Sequence, residues 1–333
     1  MRVLIADADL VVHARLLQVD ELVSTEGRDS WERQALSVQV LGVIKGPAKP
    51  GDRLRFAQHG HGAPRYRTGD EVLLFLRKLS RSRELRGLAS THGLRWYSSQ
   101  EQNDAYILAP SAREATVAAA GTYAAIEAMP PDRRTEALHK ITVKLLRSKD
   151  PRLSRSALRD LAAQPGAPLV TIRDVPGLLR VIDDVQRPIQ LRVGLLIELD
   201  RRGLVESESR WVRWLRTTRG TDRLPVIEAA GLQASSAVSE ELVRILKGPD
   251  VALGAAAAVA LGSPGHDEAV EPLSEALVSG EARLAMAAIR GLGNIGTPEA
   301  TRALRTAAES HSDSKVRRRA QAELRLLDSR RIR

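Results

Sequence analysis

Cysteine is absent from this 333-residue chain, and aromatic residues make up only 3% of it. Without cysteine the protein can form neither disulfides nor thiolate metal sites. With so few aromatic rings, the core must be built from Leu, Val, Ile and Ala, as is usual in helical repeat proteins. Long apolar runs are missing as well. No window approaches eighteen uninterrupted apolar residues, so we expect no membrane span.

Targeting and catalytic signatures are also missing. The chain does not begin with a charged and then apolar leader that ends in a small-residue cleavage site. We expect an extracytoplasmic protein if a leader has been removed, and a cytoplasmic one otherwise. No glycine-rich phosphate loop follows a strand, and neither Gly-x-Ser-x-Gly nor His-Glu-x-x-His occurs. The sequence therefore predicts a protein that is not an enzyme and holds no cofactor.

Positive charge is in excess, with 51 Lys and Arg against 41 Asp and Glu, a net charge of +10. Half of this excess lies in the last 21 residues, which carry +5, whereas residues 111–312 carry only +2. A phosphate-binding site based on charge would therefore lie in the tail rather than along the rest of the chain.

The most informative stretch contains one pattern twice, thirty-one residues apart. Leu261-Gly262 and Leu292-Gly293 each end an alanine-rich run, and a second amphipathic run follows. The pattern predicts two helices joined by a turn, with Gly293 as a left-handed C-cap and Thr297 as the next N-cap. Such a unit cannot bury its own apolar face, so it must stack on neighbours.

These markers, followed by Gly265 or Gly296, then Glu-Ala and a leucine-rich helix, resemble a HEAT-like repeat of the short type first named from phycobilisome lyases. The resemblance covers about residues 251–326, and such repeats are common in bacterial proteins of many functions. It implies a right-handed solenoid whose inner face holds a protein partner. Bilin lyases, bilin isomerases and DNA glycosylases occur among related repeat proteins, which makes an enzyme the third hypothesis by analogy of fold alone.

Helical periodicity continues from this stretch toward the N-terminus. Residues 111–333 are therefore predicted to form an all-α solenoid of about five or six helical pairs. The positions that match Leu292 are assigned to Leu161, Leu199, Leu232 and Leu261, at uneven spacings of 38, 33, 29 and 31. His266 takes the place of Thr297 and is interpreted as a helix cap. We expect a monomeric scaffold that binds an unidentified protein.

Residues 1–110 are predicted to form a separate all-β domain. Apolar residues alternate with polar ones around residues 10–17 and 36–40, and Gly42 indicates a β-bulge. Residues 72–76 form the most apolar strand, expected to be buried on both faces, and weaker strands are predicted at 84–89 and 106–108. Five or six short strands without intervening helices favour a small closed barrel.

This stretch resembles the netrin-like, OB-type barrels found at the start of bacterial export-associated proteins. The resemblance rests on Ala8-Asp9-Leu10-Val11-Val12, on Val43-Ile44-Lys45-Gly46 and on Gly69-Asp70 with the strand that follows. Netrin-like inhibitors of metalloproteases use an N-terminal cysteine to grip zinc. This chain has no cysteine, so that activity is not implied.

Two histidines have metal-like spacing. His59 and His61 would point to the same side of a strand, and His92 is a third candidate ligand. The competing interpretation is a polar strand end before a glycine-rich turn. We favour that interpretation and expect no bound metal.

Two basic stretches are candidates for nucleic-acid binding, the alternative to a protein scaffold. Trp211 and Trp214 lie three residues apart, beside Arg210 and Arg213, and such a stripe can stack on bases. Two tryptophans at this spacing more often fill a helical core, and we favour that role. The tail run at 317–319, formed by Arg317, Arg318 and Arg319, would bind phosphates or simply cover the outer face of a terminal helix.

Overall fold

The computed structural model describes residues 1–22, 33–58, 65–81, 94–98, 106–233 and 235–331. These residues form two compact units, Met1–Asp174 and Val175–Arg333. Among the helices of the described segments, none is both long and apolar enough to span a lipid bilayer.

The first unit begins with a six-residue helix and continues with a barrel. Its strands pair in the order β1-β2-β3-β5-β4, and β4 pairs with β1 to close the ring. The pair β3–β5 is parallel, the other pairs are antiparallel, and β6 adds to β4. The closed five-strand barrel confirms the predicted fold class for this part of the chain. The bounds are α1 (Arg2–Asp7), β1 (Leu10–Leu22), β2 (Arg33–Lys45), β3 (Arg53–Gln58), β4 (Glu71–Lys78), β5 (Trp96–Ser98) and β6 (Tyr106–Ile107).

Strand alternation builds the barrel core as the sequence indicates. Leu10, Val12, Ala14 and Leu16 all lie in one buried cluster, because alternate residues of β1 face the interior. The pairing of β1 with β2 shifts where His13 faces Gly42 and Ala14 faces Val40, which confirms a bulge beside Gly42. Strand β4 is buried on both faces, as predicted. The strand predicted at 84–89 lies outside the described residues.

Three longer helices belong to the same compact unit as the barrel. Arg113 of the first of them lies 2.7 Å from the carboxylate of Glu71 on β4. The change from strand to helix falls at the predicted residue 110, and independent folding of residues 1–110 stays a prediction. The helices are α2 (Pro110–Glu127), α3 (Pro131–Leu146) and α4 (Pro151–Ala162).

The second unit is a two-layer stack of antiparallel helices. In the first layer, α6, α8, α10, α12 and α14 contact one another in succession. In the second layer, α7, α9, α11 and α13 do the same, while α5 packs on α6. The helices are α5 (Val175–Asp183), α6 (Ile189–Arg201), α7 (Glu208–Thr217), α8 (Arg223–Ala230), α9 (Ser236–Leu246), α10 (Val251–Ala260), α11 (Val270–Leu277), α12 (Ala282–Ile295), α13 (Pro298–Ser310) and α14 (Ser314–Arg331).

The repeat in this unit is more regular than the sequence suggested. Leu199, Ala230, Leu261 and Leu292 are all fully buried in the first layer, each thirty-one residues after the one before. Leu232, by contrast, is 63% exposed. Its assignment as the counterpart of Leu292 was wrong, because an alanine holds that position where neighbouring helices approach closely.

The second layer keeps the same period at four positions of each helix. All sixteen side chains are buried, and each set of four is separated by steps of thirty-one residues. The four sets are Ser207, Val238, Ala269 and Ala300; Trp211, Leu242, Leu273 and Leu304; Trp214, Ile245, Ala276 and Ala307; and Leu215, Leu246, Leu277 and Ala308.

Three glycines of the first layer serve close packing between helices. A Cβ atom added to Gly262 would lie 2.5 Å from the Cα of Gly291, and one on Gly231 would lie 2.8 Å from Ala260. Gly293 contacts Glu323 in the same way. The prediction of Gly293 as the C-cap was wrong. Helix α12 continues to Ile295, and Gly296 takes the left-handed conformation with φ 66°.

Candidate functional site

The three histidines considered as metal ligands, His59, His61 and His92, lie outside the described residues. Within the described segments, no group of three or more His, Asp or Glu side chains is arranged to hold a metal ion.

The two tryptophans form part of the repeat core. Trp211 and Trp214 are 0% and 4% exposed, and their rings meet edge to face with centroids 5.4 Å apart. The indole N–H of Trp211 donates to Ser207 Oγ at 3.1 Å, and the guanidinium of Arg192 lies 5.3 Å from the Trp214 ring centre. Neither ring has an open face on which a base could stack.

The arginines beside them are paired. Arg210 and Arg213 both contact Oδ1 of Asp183, at 2.6 and 3.1 Å. This shared carboxylate offsets part of the positive charge that a phosphate would need. The basic–aromatic stripe predicted from the sequence therefore has two separate parts. The tryptophan rings are buried, and the arginines form ion pairs at the surface.

The basic tail is also partly engaged. Arg317 donates to the carbonyl oxygens of His311 and Ser312, which follow the preceding helix, and Arg319 contacts Glu323 at 3.1 Å. Val316 and Ala320 are fully buried, as the inward stripe of this helix predicted. Within residues 235–331, Arg319 is the arginine of this run that forms an ion pair, and Arg318 has neither an ion pair nor a side-chain hydrogen bond.

A different pair of features stands out along the second layer, where consecutive helices end side by side. The first is a cleft of about 450 Å³ between α7 and α9, which we name the basic groove. Leu215, Ile245 and Leu253 supply its apolar lining. Three guanidinium groups, from Arg216, Arg223 and Arg244, surround this apolar floor.

A buried carboxylate positions two of these arginines. Glu241 has a side chain only 4% exposed; its Oε1 lies 2.5 Å from Nη2 of Arg216, and its Oε2 lies 2.5 Å from Nη1 of Arg244. Hydrogen bonding to Glu241 raises the pKa of the Arg216 guanidinium above its usual value. Both arginine side chains stay more than half exposed, so their remaining N–H groups face outward.

Arg223 differs from its two neighbours. It begins α8 and is half-buried, and its Nε atom is fully enclosed without a hydrogen-bond partner in the described structure. The other acid of the groove, Asp250, caps α10 by accepting from the backbone N–H groups of Ala252 and Leu253. Among the described residues, the groove therefore holds three cations and two satisfied anions, and Arg223 is the cation without an ion pair.

The second feature is a cleft of about 320 Å³ between α11 and α13, which we name the apolar groove. Leu277, Val278, Ala303 and Ala307 line it, and Val278 is 72% exposed. No Asp, Glu, Lys or Arg side chain is among the described residues that form its wall.

The two grooves lie at equivalent positions of the repeat. Eight residues of the apolar groove lie sixty-two positions, or two repeats, after eight residues of the basic groove. Arg216, Glu241 and Arg244 thus correspond to Val278, Ala303 and Thr306. The full sets are Leu215, Arg216, Glu241, Arg244, Ile245, Gly248, Pro249 and Asp250, and Leu277, Val278, Ala303, Thr306, Ala307, Ser310, His311 and Ser312.

An ion pair occupies the equivalent place between the two grooves. Lys247 Nζ lies 2.7 Å from Glu275 Oε2, and both side chains are about half exposed. Lys247 corresponds to Arg216 and Val278, and Glu275 corresponds to Arg244 and Thr306. The three successive interfaces, which we call the groove row, are therefore basic, internally neutralised and apolar.

His266 is buried between repeats rather than capping a helix. Its ring is 0% exposed, with Nδ1 2.6 Å from Ser239 Oγ and Nε2 3.1 Å from the carbonyl oxygen of Gly231. A 3-10 turn at Asp267–Ala269 separates His266 from α11, so the capping interpretation was wrong. The ring instead satisfies a carbonyl group of the preceding repeat.

One charged cluster lies on the barrel instead. Glu71 contacts Arg15 at 2.9 Å, His13 at 3.1 Å and Arg113 at 2.7 Å. The hydrogen bond from Arg15, aided by His13 and Arg113, holds the pKa of the Glu71 carboxyl below its usual value. Because the single Glu71 carboxylate contacts Arg15 of the barrel and Arg113 of α2, the cluster ties α2 to the barrel.

The groove row does not show in local spacing, because its members are distant in sequence. Arg216 and Glu241 are twenty-five residues apart and belong to different helices. The signal that relates them is the thirty-one-residue step of the second-layer positions Trp211, Leu242, Leu273 and Leu304. The first-layer leucines do not carry this signal, and Leu232 is not one of their equivalent positions.

Comparison with known proteins identifies the stacked helices. Residues 226–325 match the family model described as HEAT repeats. This stretch is a HEAT-repeat region. The match runs from α8 to α14 and so includes the apolar groove and most of the basic groove. HEAT repeats commonly mediate protein binding.

Solved structures similar to this chain include the following three. An engineered protein has 21% sequence identity and a TM-score of 0.35, over 63% of this chain and 64% of that one. A designed armadillo repeat protein in complex with the peptide (KR)4 has 17% identity and a TM-score of 0.34, over 57% and 99%. Human deoxyhypusine hydroxylase in complex with glycerol has 14% identity and a TM-score of 0.30, over 65% and 99%. A search of curated proteins found no match.

Proposed function

We propose that this protein is a non-enzymatic binding protein whose HEAT repeats hold an extended segment of a protein partner in the groove row. The observation that carries the proposal is the pair of open grooves at equivalent positions two repeats apart. An extended chain is a suitable occupant because it can place successive side chains into clefts that recur at a fixed step.

A protein partner fits this surface better than nucleic acid does. A phosphate backbone needs a continuous series of cations, whereas Lys247 is neutralised by Glu275 in the middle interface. The apolar groove has no charged wall residue in the described structure, and the tryptophan rings are buried. The exposed Val278 is instead suited to contact an apolar side chain.

The test is a selection of random twelve-residue peptides, displayed on phage, against the immobilised full chain. Selected peptides are then synthesised, and their affinity is measured by fluorescence polarisation with the unmodified protein and with Val278→Glu. We expect at least a tenfold loss in the variant, because a charge would enter an apolar contact.

The matched control is Leu232→Glu, which places the same charge on another exposed apolar residue that lines neither groove. Its affinity for the selected peptides should equal that of the unmodified protein. Failure to enrich any peptide, or equal binding by the Val278 and Leu232 variants, would contradict the proposed function.

A further inference from the structure

Taking the proposed function as its basis, we infer that the partner segment carries an acidic side chain and an apolar side chain about six residues apart. The acidic side chain binds in the basic groove and the apolar one in the apolar groove. The two grooves share the same fold but differ in their wall residues. This difference predicts which partner side chain each groove binds.

The acidic preference follows from the unpaired cation. Arg216 and Arg244 are held by one buried carboxylate, Glu241, while Arg223 has no ion pair among the described residues. A guanidinium with an enclosed Nε and no anion is under-satisfied, so a carboxylate from a partner gains charge-assisted hydrogen bonds there. The floor of Leu215, Ile245 and Leu253 favours the aliphatic stem of that acidic residue.

The apolar preference follows from the same positions two repeats later. Val278 and Ala303 replace Arg216 and Glu241, and Thr306 replaces Arg244. A charged partner side chain would find no counter-charge in this wall and would lose its hydration. An aliphatic or aromatic side chain would cover Val278, which is otherwise left in water.

The spacing follows from helix packing. Neighbouring packed helices lie about 10 Å apart, so two steps along the layer separate the grooves by about 20 Å. An extended chain advances about 3.3 Å per residue, which corresponds to about six residues between the two side chains. Between these two partner side chains the segment passes Lys247 and Glu275. Because this lysine and this glutamate pair with each other, we expect no preferred side chain in the partner at that point.

Two measurements on the full chain test this inference. First, the peptides selected by phage display are aligned. We expect Asp or Glu at one position and Leu, Ile, Val, Met or Phe five to seven residues away. Peptides that bind but lack the acid, or lack this spacing, would overturn the inference while leaving the proposed function intact. Failure to enrich any peptide would reject both.

Second, the acid of a selected peptide is changed to its amide, and both peptides are measured with the unmodified protein and with Arg223→Gln. Because Arg223 has no ion pair in the described part of the chain, this variant should fold normally. We expect the amide to bind the unmodified protein about tenfold more weakly, and the two peptides to bind Arg223→Gln with nearly equal affinity. An equal penalty in both proteins would overturn the assignment of the acid to this groove.

The control variant is Arg290→Gln, which removes an exposed arginine of the first layer and should keep the full tenfold preference for the acid. A labelled duplex DNA of twenty base pairs is used as a competitor at physiological salt. We expect it not to displace the peptide. Displacement of the peptide by DNA in a way that depends on Arg223 would instead indicate that the basic groove binds phosphate groups.

Discussion

The two helix layers of the second unit differ. The first layer keeps small residues at its close contacts, whereas the second layer changes its side chains from repeat to repeat. The first layer keeps Gly231, Gly262 and Gly293 at equivalent positions and brings Gly262 against Gly291. Helix α10 of this layer has no charged residue. In the second layer, tryptophan gives way to leucine at one position, and Trp214 to isoleucine and then alanine at another. Close backbone approach restricts the first layer, whereas the looser second layer can differ between repeats and so can carry binding specificity.

The largest loss of stability should come from the buried second-layer position at which the side chain differs most in size between repeats. Trp211→Ala should lower the free energy of unfolding by about 3–5 kcal/mol, because it removes the largest fully buried side chain and leaves a cavity. Trp211→Leu should cost less, since leucine fills the three equivalent positions. Urea titration of both variants measures this, and equal losses would argue against the equivalence of the repeats.

A smaller loss is expected from crowding the first layer. Gly262→Ala should cost about 1–3 kcal/mol, because its Cβ would lie 2.5 Å from the Cα of Gly291 and the helices must separate. Ala252→Val enlarges an exposed residue of the adjoining helix and serves as the control. Thermal denaturation of the pair compares them. A Gly262 variant as stable as the control would show that close approach does not restrict this layer.

These two predictions also show what the sequence could reveal. Buried apolar residues recur with the helical period, so the stacked helices and the barrel strands were predictable. The exact role of each small residue was not. Glycine suits both a left-handed cap and a close contact, and only the packing of α12 against its neighbours separates Gly296 from Gly293. The grooves combine residues from different helices, and local periodicity does not show which of them meet.

Removing the buried carboxylate of the basic groove should have a modest effect on stability. Glu241→Gln is expected to cost about 1 kcal/mol, because Arg216 and Arg244 are more than half exposed and can turn to water. Glu275→Gln breaks the exposed pair with Lys247 and should cost less than half of that. Chemical denaturation of both variants tests the ranking. A larger loss for Glu275→Gln would contradict the role of Glu241 as the anchor of the groove.

The smallest effect on stability is expected for the residues proposed to meet the partner. Val278→Glu and Arg223→Gln should each change the free energy of unfolding by less than about 0.5 kcal/mol, because Val278 is largely exposed and Arg223 forms no ion pair with any described residue. Their effect should be on peptide affinity alone. If either variant unfolds at a clearly lower denaturant concentration, a structural role would explain its loss of binding.

The most direct test transplants one groove onto the other. The triple change Val278→Arg, Ala303→Glu and Thr306→Arg places the trio of Arg216, Glu241 and Arg244 at the equivalent positions two repeats later. Peptides are then selected by phage display against this variant and against the unmodified chain. We expect the selected peptides to lose the apolar residue at this spacing and to keep the acid, because the acid is assigned to Arg223, which the change leaves in place. Selection of the same peptides by both folded proteins would contradict the claim that these equivalent grooves hold the partner.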